Sequence, residues 1–235
     1  MMTANTANRL HIYLLAGVKS SATLFTECIK RLEQQMNEQQ LDSQIDVVMP
    51  YGEMERSLVS QLFEVSSDLS NRKYMLRKVG GKSAFQHIND SLPTDGAKML
   101  LIGHSGGGAA AYQAAKLLET DERVLDYRVV MIGSPRIPIV PEMQNKVSYF
   151  HAIDNNGQSI DPICRLGSWG GWCRSRYYTP HWKSNKYSPG HIEGIVTVGG
   201  HKDYFRHEHP YVDDNKQCNL EKMMNRVQEW LKGWL

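Results

Sequence analysis

Short apolar runs alternate with amphipathic ones along this chain, and that alternation predicts its element order. Residues 10–16 are an apolar run of strand length that ends at Gly17. Residues 21–40 carry Leu24, Ile29, Leu32 and Met36 at helical spacing, which predicts a helix with one apolar face. Residues 45–49 predict a second strand, closed by Pro50-Tyr-Gly52. The stretch 53–95 is longer than one crossover helix requires. Within it, 54–69 is helical in pattern, 72–79 is basic, Gly80-Gly81 predicts a break, and 84–92 predicts a short helix. With Arg72, Lys73, Arg77 and Lys78 near its end, 54–79 reads as a surface helix pair, or else as a cap. Residues 98–102 form the third strand, followed by an alanine-rich helix to about Glu119. The remaining strands fall at 127–132, 147–153 and 192–198, and 220–235 closes the chain as an amphipathic helix.

Six apolar strands separated by helical segments imply an α/β fold. It should be doubly wound, with a mainly parallel sheet of about six strands and helices on both faces, because a parallel sheet is covered on each side by its crossovers. No internal repeat or low-complexity tract divides the chain, so residues 1–235 are expected to form a single domain, with 1–9 a disordered lead-in. Composition adds little to that picture. A hydrophobic content of 41% and a charged content of 22% are ordinary for a soluble globular protein. The net charge of +2 is too small to indicate a nucleic-acid partner, and none is expected. Cys28, Cys164, Cys173 and Cys218 form no C-x-x-C pair and no metal spacing, so no metal is expected. They read as reduced thiols of a cytoplasmic protein, although Cys164 and Cys173 are near enough in sequence to pair in an oxidising compartment. No run is long enough to span a bilayer, and the run at 10–18 is read as the first strand rather than an export signal.

One stretch changes the picture. Gly103-His104-Ser105-Gly106-Gly107 matches the G-x-S-x-G nucleophile elbow, with a strand before it and an alanine-rich helix after it. A serine at so sharp a turn projects its hydroxyl, and the helix N-terminus behind it favours developing negative charge. A serine hydroxyl needs a histidine to take its proton, and that imidazole needs a carboxylate to hold its tautomer. A doubly wound sheet collects such groups at the carboxyl ends of its strands. That rule selects His201, in the Gly-Gly-His turn after the last strand, with His207 and His209 as alternatives. For the acid it leaves Asp161, which Pro162 holds extended, ahead of Asp154. The oxyanion donors are expected to be the amides of Gly106 and of Val18 in the loop after the first strand, with Lys19 next.

The elbow, Gly133-Ser-Pro-Arg136 after the next strand, Asp161-Pro-Ile and a late histidine together resemble the α/β-hydrolase superfamily. Within it, they look most like the triacylglycerol-lipase, class 3 lipase-like branch. The resemblance covers residues 98–167 in motifs, plus His201, and the N-terminal third matches only in element order. Gly106-Gly107 stands where that branch usually has a larger residue before its glycines, and Cys164 where it often has proline. The resemblance implies Ser105 as nucleophile, Asp161 as acid, His201 as base and no cofactor. It does not imply a triglyceride substrate.

Between acid and base lies a long stretch, 165–191, with three of the five tryptophans, five Lys or Arg, and no Asp or Glu. Two readings are open. It is a rim carrying Trp169, Trp172 and Tyr177 that holds an acyl chain and touches an anionic membrane surface transiently, or a loop packed on itself. The expected function is hydrolysis of a carboxylic ester or lipid-like substrate through an acyl-serine. The same triad would serve a thioesterase or acyltransferase, and the fold alone would serve a lipid- or partner-binding protein. Oligomeric state is not legible in the sequence.

Overall fold

The computed structural model describes residues 9–18, 20–52, 79–175 and 178–235. The chain enters on β1 (Leu10–Leu15) and passes through α1 (Thr26–Glu38) to β2 (Ser43–Val48). It resumes with α2 (Val79–Ser91), β3 (Ala97–His104), α3 (Gly106–Leu118), β4 (Val124–Ile132) and β5 (Val147–Ile153). A small excursion, β6 (Gly171–Arg174) and β7 (Pro180–Lys183), precedes β8 (His191–Val196) and α4 (Asn219–Leu231). The main sheet has six strands in the order β2-β1-β3-β4-β5-β8, and every pairing in it is parallel.

Alternation along the strands divides the core into two layers. Tyr13, Leu15, Met99, Leu101, Val129 and Met131 point to one face, where Ala84 and Ile88 of α2 and Ala109–Leu118 of α3 cover them. Ile12, Leu14, Leu100, Ile102, Val130 and Ile132 point to the other, covered by Cys28 and Leu32 of α1 and Met223, Met224 and Val227 of α4. Burying each Leu or Ile contributes roughly 1.5–3 kcal/mol, which is why central strands are apolar on both sides. The α/β, doubly wound arrangement expected from the pattern is therefore present. The covering helix changes face between β1 and β3, and that crevice is where such sheets place ligands.

Three elements differ from expectation. The helix expected over 21–40 begins as a 3-10 turn, Ala22–Phe25, where the Ser21 hydroxyl accepts from the Thr23 amide before α1 takes over. Gly80-Gly81 does not break the chain but lies in the first turn of α2. A Cβ at Gly81 would stand 2.5 Å from Gln113 Cβ, so the glycine lets α2 and α3 pack at backbone distance. The stretch 165–191 is not irregular throughout: β6 and β7 pair antiparallel within it. The helix expected at 54–69 and the basic stretch at 72–78 lie outside the described residues, as do residues 1–8.

The closing helix ends at Leu231, and the four residues after it fold back onto the sheet. Trp234 is 9% exposed, its Nε1–H donates to Asp126 Oδ2 at 2.7 Å, and the Arg128 guanidinium lies 5.0 Å from its ring. Among the described residues, no helix is long and apolar enough to cross a membrane.

Candidate active site

Ser105 sits between β3 and α3 with φ 56° and ψ −130°, a positive-φ backbone that a residue with a side chain avoids unless its surroundings hold it there. The surroundings do. Its N–H donates to the Ile132 carbonyl at 2.9 Å, and its carbonyl accepts from the Ser134 hydroxyl at 2.8 Å. The Ser134 carbonyl in turn accepts from the buried Tyr149 hydroxyl. Thus the Gly133-Ser-Pro-Arg136 segment braces the elbow from below. The turn closes tightly enough to exclude side chains: a Cβ at Gly103 would lie 2.3 Å from the Gly107 carbonyl oxygen, and one at Gly107 would lie 2.0 Å from that of Leu15.

The elbow aims the Ser105 hydroxyl at His201, in the loop between β8 and α4. Ser105 Oγ is 2.9 Å from His201 Nε2, and His201 Nδ1 is 2.8 Å from Asp161 Oδ2. Asp161 is wholly buried after β5. Burial alone would raise its pKa. Hydrogen bonds and charge from His201, the Tyr204 hydroxyl and the Ile163 amide outweigh burial and hold it below the ordinary carboxylate value. The carboxylate therefore keeps its charge beside the imidazole. Asp154 is engaged elsewhere. Its Oδ1 accepts from the amides of Asn156 and Gln158, closing a local turn. Of the other histidines considered, His207 faces Glu208 at 3.3 Å rather than a hydroxyl.

Three neighbours of this relay are not evident from the sequence. The Tyr204 hydroxyl donates to Asp161 Oδ2 at 2.8 Å and accepts from the Ala152 amide at 2.9 Å, tying the acid to β5. Cys164 Sγ lies 3.4 Å from the same oxygen, and burial pushes its thiol up to about 12. His104 stacks on His201, with ring centroids 5.0 Å apart, and its Nε2 is 3.0 Å from the His201 carbonyl. Burial first, then the charge of His201, lowers His104 to about 4. Its Nδ1 has no partner, so the neutral ring carries its proton on Nε2 and donates to that carbonyl. The only sequence signal for Tyr204 is its place in Gly-Gly-His-Lys-Asp-Tyr, and for His104 its place before Ser105 in the elbow.

Ser105 and His201 open onto a cleft of about 510 Å³ whose lining includes apolar Val18, Leu24 and Phe205 and polar Ser20, Glu27 and Arg206. Val18 follows β1, and Gly17 lies so close that a Cβ there would be 2.6 Å from Ser105 Cβ. Gly106 opens α3, directly after Ser105. Lys19 lies outside the described residues.

Trp169 and Trp172, both expected at the rim, are not among the residues lining this cleft. Trp169 belongs to the core, edge-on to Tyr149 at 4.9 Å and beneath the Arg136 guanidinium, because Gly167 pairs with Arg136 and draws the chain inward. Trp172 is 65% exposed, but it lies on β6, and its ring packs against Trp182 on β7. Tyr177 lies outside the described residues. All four cysteines are free. Among the described residues, no group of three His, Cys, Asp or Glu side chains could hold a metal ion.

A parallel six-stranded sheet with a strained serine elbow on its third strand, and with an acid and a histidine reaching it from later strands, defines the α/β-hydrolase fold. A solved structure shares it. The chain matches the RedJ thioesterase of the prodiginine biosynthetic pathway in Streptomyces coelicolor with a TM-score of 0.51 at 12% identity, over 98% of this chain and 97% of that one. An extracellular α/β-hydrolase from a Paenibacillus species matches with a TM-score of 0.47 at 12% identity, over 93% and 97% of the two chains. Comparison with protein-family models and with curated proteins finds no match.

Proposed function

We propose that this chain is a serine hydrolase of carboxylic esters, of the lipase- or esterase-like kind. The observation that carries the reading is the relay of two hydrogen bonds, Ser105 to His201 at 2.9 Å and His201 to a buried Asp161 at 2.8 Å, at the mouth of a cleft. Ser105 Oγ attacks the acyl carbonyl while His201 Nε2 takes its proton. Asp161 holds Nδ1–H and stabilises the imidazolium. The amides of Gly106 and Val18 are assigned to the oxyanion, and losing one such donor typically costs about 3–4 kcal/mol of transition-state stabilisation. Collapse of the tetrahedral intermediate expels the alcohol, which leaves with the proton from His201. Water, activated by the same histidine, then releases the acid from the acyl-serine. No group beyond these side chains and amides is needed.

The motifs at 98–167 support a reading nearest the class 3 lipase-like branch. The mixed lining of the cleft, with Leu24 and Phe205 beside Ser20 and Arg206 among its residues, supports an ester that joins an apolar part to a polar one. Free thiols at all four cysteines support a reducing, cytoplasmic setting.

A fluorophosphonate probe tests the reading directly. Wild-type protein should be labelled at Ser105, located by mass mapping, and Ser105→Ala should not be labelled. Folded wild-type protein that stays unlabelled, with and without detergent, would refute an activated serine. A panel of p-nitrophenyl esters of rising chain length, run beside matching acyl thioesters, then reads the acyl pocket and the leaving group.

A further inference from the structure

The excursion between β5 and β8 serves neither the sheet nor the cleft. From Pro162 to Ile192 the chain has no Asp or Glu, but it has Arg165, Arg174, Arg176, Lys183 and Lys186. Its ribbon pairs Trp172 directly opposite Trp182, with ring centroids 5.7 Å apart and the planes at 79°. Side chains alternate along a strand, so Arg174 and Pro180, the pair two places on, share the face of the tryptophan pair. On the opposite face Gly171 packs against Tyr187, a Cβ there standing 2.5 Å from its ring, while His181 and Lys183 are exposed. The tryptophan face is open. Trp172 is 65% exposed and Trp182 53%, with Tyr178 at 81% in the turn and Leu166 at 49% where the excursion begins. Those four are half of the eight large apolar side chains exposed among the described residues, gathered in one short stretch. Arg174 is exposed on that face, Lys183 is exposed on the other face of the ribbon next to Trp182 in the chain, and Arg165 is exposed next to Leu166.

We infer that this ribbon docks the protein on an anionic membrane surface. Indole rings favour the boundary between water and acyl chains, where one edge is apolar and the other is wet. Basic side chains flanking them are drawn to negatively charged headgroups, and the missing carboxylates remove the repulsion that would oppose contact. A buried protein partner would call for acceptors to meet these cations at fixed places. A fluid anionic surface meets them wherever they stand, which suits cations on a short ribbon beside a tryptophan pair. The surface lies apart from the Ser105 cleft, so docking positions the protein without occupying the site.

Sedimentation of the full chain with vesicles tests this, independently of any turnover. One set is phosphatidylcholine alone, and the other contains about 30% phosphatidylglycerol. Wild-type protein should bind the anionic set, with a blue shift in tryptophan emission, and should be released by high salt. Arg174→Glu with Lys183→Glu, which leaves both indoles in place, should lower partitioning by at least about tenfold. Trp172→Ser should do the same. Far-ultraviolet circular dichroism and Tm should be unchanged in both variants, which shows that they are folded. Wild-type protein that ignores the anionic vesicles, or a charge-reversed variant that binds them as wild type does, would overturn the proposal.

Discussion

His104 couples the stability of the fold to acid, and the sign of the coupling follows from its burial. Its ordinary value near 6.5 is lowered to about 4 in the fold, first by burial and then by His201. Above about pH 6.5 the ring is neutral in both folded and unfolded chains, so it contributes no pH dependence. Between about 6.5 and 4 only the unfolded chain takes up the proton, so stability falls as pH falls. Below about 4 both states are protonated and the loss stops growing, at a total on the order of 3 kcal/mol. His104→Gln, which keeps a donor for the His201 carbonyl but cannot titrate, should flatten this part of the curve. Urea unfolding of both proteins at pH 5 and pH 7.5 checks it. Tyr204 acts on the acid rather than on substrate. In Tyr204→Phe the Ala152 amide and Asp161 Oδ2 each lose a partner. Stability should drop by about 1–3 kcal/mol. The freed carboxylate should lower kcat about tenfold or more while KM holds, because only transition-state stabilisation is lost. Steady-state kinetics separate the two constants.

Among the elements, those whose pattern is local are legible in the sequence and those that depend on a neighbour are not. β1, β3, β4 and β5 are apolar on both faces, and each is bounded by a turn residue. The elbow is written in five consecutive residues and His201 is read from a strand end, whereas Asp161 is set ahead of Asp154 only by the proline that follows it. β6 and β7 are hidden because Gly171 and Pro180 blur the alternation of strands only four residues long. Trp169 misleads for a related reason: composition marks a tryptophan as available, and only the pairing of Gly167 with Arg136 shows that it turns inward. Gly80-Gly81 reads as a break because glycine disfavours helix interiors, whereas here close packing on α3 outweighs that preference. This gives an element-scale test. Gly81→Ala adds helix propensity worth about 1 kcal/mol but forces a methyl toward Gln113 Cβ, which costs about 1–3 kcal/mol. A net fall in Tm is expected, and a rise would mean that α2 and α3 are not tightly packed.

For the molecule as a whole, the three side chains of the relay come from well-separated parts of the chain, after three different strands of one sheet. Ser105 follows β3, Asp161 follows β5, and His201 follows β8, which is added at the edge of the sheet after the ribbon excursion. The segment that bears His201 is itself held by α4, where Asn219 Nδ2 donates to the carbonyls of Val198 and Asp203. Everything needed to present the serine can therefore form before the base arrives. In refolding from urea, fluorophosphonate labelling should return no faster than the slowest phase seen by tryptophan fluorescence. Labelling that returns ahead of it would show that the edge strand is not last to dock. On the proposed reading, the hydroxyl at the elbow after β3 has no proton acceptor until edge strand β8 and the segment after it are in place, so a copy in which they have not docked would leave esters intact.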